Sequence, residues 1–207
     1  MLWVTLEHVH FDRVISAWLI KRFVDVDARF TFVPRQHQEK ERPQDAKPFG
    51  IPNTELSAHD ADGTTFHKIL NKYDLHDQVL RTMDGVVTEV VEYVFKNGIP
   101  DAGFPGEIAL GVLCMAEGAV LACKSDAETI ERCLFTYDAL YSVFQAKAFL
   151  KARGEEKGAT MTPGMWQAIA TVVIATDLRQ QGKHLGLGTL VEVSDEFALA
   201  LVRFRGH

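Results

Sequence analysis

Residues 8–13 read His8-Val9-His10-Phe11-Asp12-Arg13, directly after an apolar run from Leu2 to Leu6 and directly before an amphipathic pattern from Val14 to Val24. Two imidazoles and a carboxylate at alternating positions beyond a buried strand stand where open α/β sheets place their ligand sites. They are nitrogen and oxygen donors for a divalent cation. A second cluster, Glu55-Leu56-Ser57-Ala58-His59-Asp60-Ala61-Asp62, offers Glu55 and His59 as further ligands. In the same cluster Asp60 and Asp62 are the candidate general bases toward a metal-activated water or oxygen substrate. A strand sends alternate side chains to one face while a turn rotates either, so the choice between His8 and His10 as ligand stays open. Mixed His and carboxylate donors suit Mn²⁺, Fe²⁺ and Zn²⁺ alike. Arg13, next to Asp12, is placed to clamp a tetrahedral oxyanion in a bidentate fork. Lys21 and Arg22 lie two turns further on and read as an exposed helix end.

The elements that must carry these residues follow from the period of the apolar positions. Leu2–Leu6 and Arg29–Val33 are rich in β-branched and aromatic residues, and the segment between them carries Val14, Ile15, Trp18, Leu19 and Phe23 on one helical face. This is a βαβ unit, hence a parallel pair with a right-handed crossover. From Arg35 to Pro52 the chain turns polar, and Pro43 and Pro48 exclude a long helix, which predicts an exposed, lid-like loop. Helical spacing then predicts helices over 64–73, 77–95, 107–122 and 126–153, the last capped by Ser125 or Asp126 with Glu128 in its first turn. Phe135, Tyr137, Tyr141, Phe144 and Phe149 fall at helical spacing and are expected to pack in the core. Past a linker at 154–158, strand-like runs at 169–175, 189–193 and 198–204 predict a small sheet, and Gly186-Leu187-Gly188 lacks the rest of a dinucleotide fingerprint. The expected fold is α/β: an amino-terminal parallel βαβ layer with a large helical portion over 1–153, and a small α+β appendage over 160–207.

Composition narrows the function. A chain of 207 residues with 47% hydrophobic side chains can bury a sizeable core, and a net charge of −6 lacks the basic face that nucleic-acid binding needs. Cys114, Cys123 and Cys133 show no metal-ribbon or disulfide-framework spacing and are expected to be buried helix cysteines. No apolar stretch reaches a membrane-spanning length, and early charges at Glu7, Asp12 and Arg13 argue against a signal peptide. The expected setting is cytoplasmic, with no membrane partner and no oligomeric state implied.

The run from Asp12 to Asp25, followed by Ala28-Arg29-Phe30 and Val33-Pro34, resembles the chromate-resistance protein family, in particular the carboxy-terminal domain of its regulator-like members. The resemblance continues through Pro48-Phe49-Gly50-Ile51-Pro52, Glu55-Leu56-Ser57-Ala58-His59, Thr65-Phe66 and Tyr137-Asp138-Ala139-Leu140-Tyr141, spanning residues 1 to about 150. It carries over Asp12, Arg13, Glu55, His59 and Glu89 as site residues. It departs at Ala58-His59, where the family shows two histidines, at Gly50, where it carries aspartate, and at Val87-Thr88-Glu89, where it has Asp-Thr-Asp. The family's DNA-binding amino-terminal half has no counterpart here, so the resemblance implies no repressor role. A weaker resemblance, carried by His-x-Asp after a strand, the Ser16-Ala17-Trp18-Leu19 helix and Ser57-Ala58-His59, is to DHH-type phosphoesterases, which bind manganese or a similar ion.

The function expected is that of a divalent-metal-binding protein acting as a metal-dependent enzyme, such as a hydrolase, on a small anionic or oxygen-containing substrate. The alternative is a non-catalytic module that binds or senses a metal or a chromate-like oxyanion.

Overall fold

The computed structural model describes residues 1–95 and 106–152. The expected boundary after residue 153 and the small sheet at 160–207 lie outside the described residues. The described residues fall into two compact units, one within Met1–His76 and Leu80–Tyr137 and a second that joins Asp77–Val79 to residues 138–152.

The first unit is built on a three-stranded parallel sheet of order β2-β1-β3. Strand β1 (Leu2–Leu6) pairs with β2 (Arg29–Val33) in the register Leu2 to Arg29 through Leu6 to Val33. Being central, β1 is apolar on both faces, and Trp3, Val4, Thr5 and Leu6 are buried. The crossover helix α1 (Phe11–Leu19) starts three residues before the expected Val14, and its last turn, Ile20–Val24, widens into a π-helix closed by the Asp25 N–H donating to the Ile20 carbonyl at 2.8 Å. Lys21 is not a free helix end, for its ammonium donates to the Ala28 carbonyl at 2.8 Å and fastens the connection into β2.

The segment expected as one exposed loop, 35–52, holds a short helix α2 (Gln38–Glu41) and a third strand β3 (Lys47–Pro48) paired parallel to β1. Its proline hid it: Pro48 cannot donate to a ladder, yet an edge strand two residues long tolerates it. The Phe49 N–H then donates to the Val4 carbonyl at 3.0 Å, and the Phe49 ring meets Trp3 edge-on at 6.3 Å.

Four helices follow: α3 (Thr65–Lys72), α4 (Gln78–Phe95), α5 (Glu107–Ala122) and α6 (Asp126–Ala152). Thr64 caps α3 by accepting the His67 N–H at 3.1 Å, and Ser125 caps α6 by accepting the Glu128 N–H at 3.2 Å. Helix α1 packs against α3 and α5, and Trp18 lies 6.3 Å from the ring of Tyr137 on α6. No helix among the described residues is long and apolar enough to cross a membrane.

Two burial expectations are corrected. Tyr137 and Phe144 are buried, but Phe135 is 72% exposed. Tyr137, Tyr141 and Phe144 share a face at spacings of four and three, whereas a residue two positions before Tyr137 points about 200° away. The Phe149 side chain lies outside the described residues. Cys114 is exposed and Cys123 half-buried, leaving only Cys133 buried, and all three are free thiols. Helix α5 is apolar all round, so its cysteine is set on whichever face the packing leaves outside. Burial pushes the Cys133 thiol up to about 11, and a thiolate is the reacting form. A thiol reagent at neutral pH should therefore modify Cys114 rapidly in the native protein and Cys133 only on unfolding, as followed by mass spectrometry of peptides.

Candidate functional site

The turn between β1 and α1 is fixed through its backbone. The Arg13 guanidinium donates to the carbonyls of Leu6 at 2.7 Å, Glu7 at 3.3 Å and His8 at 2.7 Å. From the other side the Asp126 carboxylate accepts the N–H groups of His8 and Val9, both at 2.9 Å. His8 sits in the left-handed region at φ 58°, a conformation a non-glycine residue holds only when its surroundings impose it. Arg13 is itself held by a close approach: Gly50 has φ 62°, and a Cβ there would stand 2.6 Å from Arg13 Cγ. The guanidinium expected as an oxyanion clamp thus has three of its five N–H donors on backbone carbonyls.

Asp12, one residue earlier, points the other way. Its Oδ2 accepts the Thr65 N–H at 3.2 Å, which puts the carboxylate at the positive end of α3. Oδ1 is buried and has no hydrogen-bond partner. Burial raises the Asp12 pKa above its ordinary value, with hydrogen bonds from Thr65 and from the Phe66 N–H opposing and nearby His59 opposing further. The His59 Nδ1 is likewise buried without a partner, and its ring lies 5.1 Å from Phe95. The loop carrying His59 is anchored by Lys68 of α3, which donates to Ser57 Oγ at 2.8 Å and the Ala58 carbonyl at 3.0 Å and pairs with Asp60 at 2.7 Å.

Asp12 borders a cavity of about 140 Å³ together with His10 and Glu117, although its Oδ1 is itself buried. The cavity walls are Phe11 of α1, Val90, Val91, Val94 and Phe95 of α4, and Leu113 of α5. Between the two candidate histidines, His10 lines the cavity, while exposed His8 is taken up in the strained turn. Desolvation lowers the His10 pKa, and Arg13 and His8 lower it further against the pull of Asp126 and Glu117, which keeps the ring a neutral donor.

The remaining candidates lie elsewhere. Glu55 is exposed and paired with Lys72. Exposed Glu89 accepts the Gly106 N–H at the start of α5. Asp60 is exposed, and Lys68, then Ser57 Oγ at 2.6 Å and the Asp62 N–H at 2.9 Å, hold its carboxyl well below the usual range. Such a carboxylate is a weak base, and Asp62 beside it is exposed. Among the described residues no three His, Cys, Asp or Glu side chains are grouped to hold a metal ion. What is brought together is the Asp12 and His59 pair, with His10 and Glu117 on the same cavity. Glu117 had one legible signal, a charge set in the otherwise apolar run 108–122. Asp126 had none, since its partners His8 and Val9 are distant in sequence, and Lys68 had none, since a loop conformation decides what it meets.

Two outcomes test this geometry. Asp126→Ala leaves two amides of the turn without an acceptor and should cost about 1–3 kcal/mol in urea unfolding, with faster hydrogen exchange at His8 and Val9. Asp12→Asn should do the opposite in the metal-free protein. A raised native pKa means the folded state binds this proton more tightly than the unfolded chain, so stability falls as pH climbs from the unfolded value of 3.8 through the raised one. Asp12→Asn is expected to add about 0.5–2 kcal/mol at pH 7 and nothing at pH 3, measured by chemical denaturation at both.

A family model described as "ChrB, C-terminal domain" matches residues 3–144. Protein ChrB of Cupriavidus metallidurans (strain CH34) is 26% identical over 144 residues, which cover 70% of this chain and 41% of that protein. This chain therefore matches less than half the length of that relative. No solved structure matches the chain. The likeness to DHH-type phosphoesterases gains no support from these comparisons. The matched residues run from β1 into α6 and include the pinned turn, the His59 loop and the cavity walls on α4 and α5, and the chain belongs to the ChrB C-terminal domain family, of chromate-resistance type.

Proposed function

We propose that this ChrB-family chain is a cation-binding module whose ligand is a divalent ion of the Mn²⁺, Fe²⁺ or Zn²⁺ group, held by Asp12 and His59 with His10 as the third donor. The observation that carries this reading is that Asp12 and His59, which interact electrostatically, each hold a buried atom without a partner, Oδ1 and Nδ1. A buried polar atom without a partner costs about 1–3 kcal/mol, and a cation between a carboxylate and a neutral imidazole relieves both. Binding turns the His10 side chain inward, which its place just before α1 permits. The ion would supply Lewis acidity at the cavity's polar end.

Binding or sensing is favoured over turnover, because Asp60 is tied to Lys68 and Ser57 and makes a weak base. A cation is favoured over an oxyanion, because the cavity is bordered by Asp12 and Glu117 and, among the described residues, by no lysine or arginine. At about a hundredfold excess over its dissociation constant the preferred ion should stabilise the chain by about 2.7 kcal/mol, and Asp12→Asn with His59→Ala should abolish the gain. Calorimetric melting with each ion checks this. If no divalent ion raises the melting temperature the metal reading fails, and if chromate raises it instead the oxyanion reading replaces it.

A further inference from the structure

Helix α5 is apolar all the way round, with Glu107 and Glu117 its only charged residues, yet the fold buries one side of it alone. Ala109, Leu113 and Ala116 form the buried side, at spacings of four and three. About half a circle away on the helix, Gly111, Cys114 and Gly118 make a strip that is exposed throughout. Large apolar side chains flank it, Ile108 and Met115 along one edge and Leu110 and Leu121 along the other, with Met115 60% and Leu121 87% exposed. The result is a shallow apolar groove with a floor of small residues.

Two glycines in mid-helix weaken α5, and nothing inside the fold requires them. Glycine is the poorest helix former after proline, and a Cβ at position 111 or 118 would meet no heavy atom of the described residues within 4 Å. Neither glycine therefore makes room for a neighbour in the same chain. What both supply is bare backbone, on which another helix can lie at the short end of the usual separations of about 8–10 Å. Charge complementarity selects the occupant and its direction. Glu107 is the first residue of α5, and exposed Lys124 stands two residues past its last. A second α5 laid antiparallel, with Gly111 of each copy against Gly118 of the other, brings Glu107 within about one turn of Lys124 of the partner subunit at both ends. A parallel arrangement sets like charges together.

We propose that this face of α5 pairs with the same face of a second copy of the chain in an antiparallel two-fold contact, the glycine strips apposed and Glu107 and Lys124 paired across each end. The surface goes beyond the ion site and needs neither Asp12 nor His59. Running the length of a 16-residue helix, about 24 Å, the contact is at the small end of specific interfaces, so the dimer should dissociate at roughly 1–100 µM.

The test is sedimentation of the whole chain over about 1–500 µM, in about 0.15 M salt, where the long-range repulsion between two chains of charge −6 is screened. A monomer–dimer equilibrium is expected. Gly111→Leu and Gly118→Leu, made separately, should each weaken the dimer at least about tenfold while leaving the melting temperature of the monomer equal or higher, since leucine is the better helix former and has open space at both positions. A merely adhesive surface gives the opposite sign, because added hydrocarbon strengthens its association. Glu107→Lys should weaken the dimer about threefold or more, and Lys124→Glu added to it in the same chain should restore it. Cys114 lies in the strip, so its reaction with a thiol reagent, fast in the dilute monomer, should slow in step with the dimer fraction. A monomer up to about 500 µM, an affinity unchanged or raised by either leucine, a Glu107→Lys loss that Lys124→Glu does not restore, or a Cys114 rate independent of concentration each overturns the proposal.

Discussion

The turn leaving β1 is held by two side chains that bond only to its backbone. Arg13 takes three successive carbonyls and Asp126 two successive amides, so five polar groups of four residues are fixed by charge-assisted bonds. Without them His8 would leave its left-handed conformation, which costs about 1–2 kcal/mol for an L residue. Everything chemical lies just downstream: His10 starts α1, Asp12 sits in its first turn, and the direction of both depends on where that helix begins. The opposite charges of Arg13 and Asp126 also attract each other across the turn they grip.

Around this turn, the structure places two unsatisfied polar atoms beside apolar surface. Asp12 joins the start of α3 through Thr65, and the loop bearing His59 is tied down by Lys68. Both members of the pair are therefore anchored by groups outside the cavity. Rigid supports of this kind allow a buried carboxylate to persist at a cost in stability, the usual condition of a ligand site.

What the sequence made legible was what depends on local period. Both long strands, their parallel pairing and the four later helices follow from apolar spacing, and Leu2–Leu6 and Arg29–Val33 match the strands end to end. Strand β3 was hidden because two residues carry no period and one of them is proline. Asp12 and His59 were legible as donors from residue type and position. The roles of Arg13, Glu55, Glu89 and Asp60 were not, because each is decided by a partner that only the folded chain brings into reach: the carbonyls of Leu6, Glu7 and His8, then Lys72, Gly106 and Lys68. Residue type tells what a side chain can bond, while tertiary contact decides what it does bond. A charged group near a site is as often spent on the scaffold as offered to a ligand.

Gly50 gives this scaffold a genetic signature. A side chain at position 50 collides with the stem of Arg13, whose head cannot move away without releasing three carbonyls. The two positions are thus a linked pair, thirty-seven residues apart in the chain, in which the residue tolerated at one is conditional on the other. A larger residue at the first would oblige the arginine stem of this chain to take another path to the carbonyls, or the strand-to-helix turn to be held by other means.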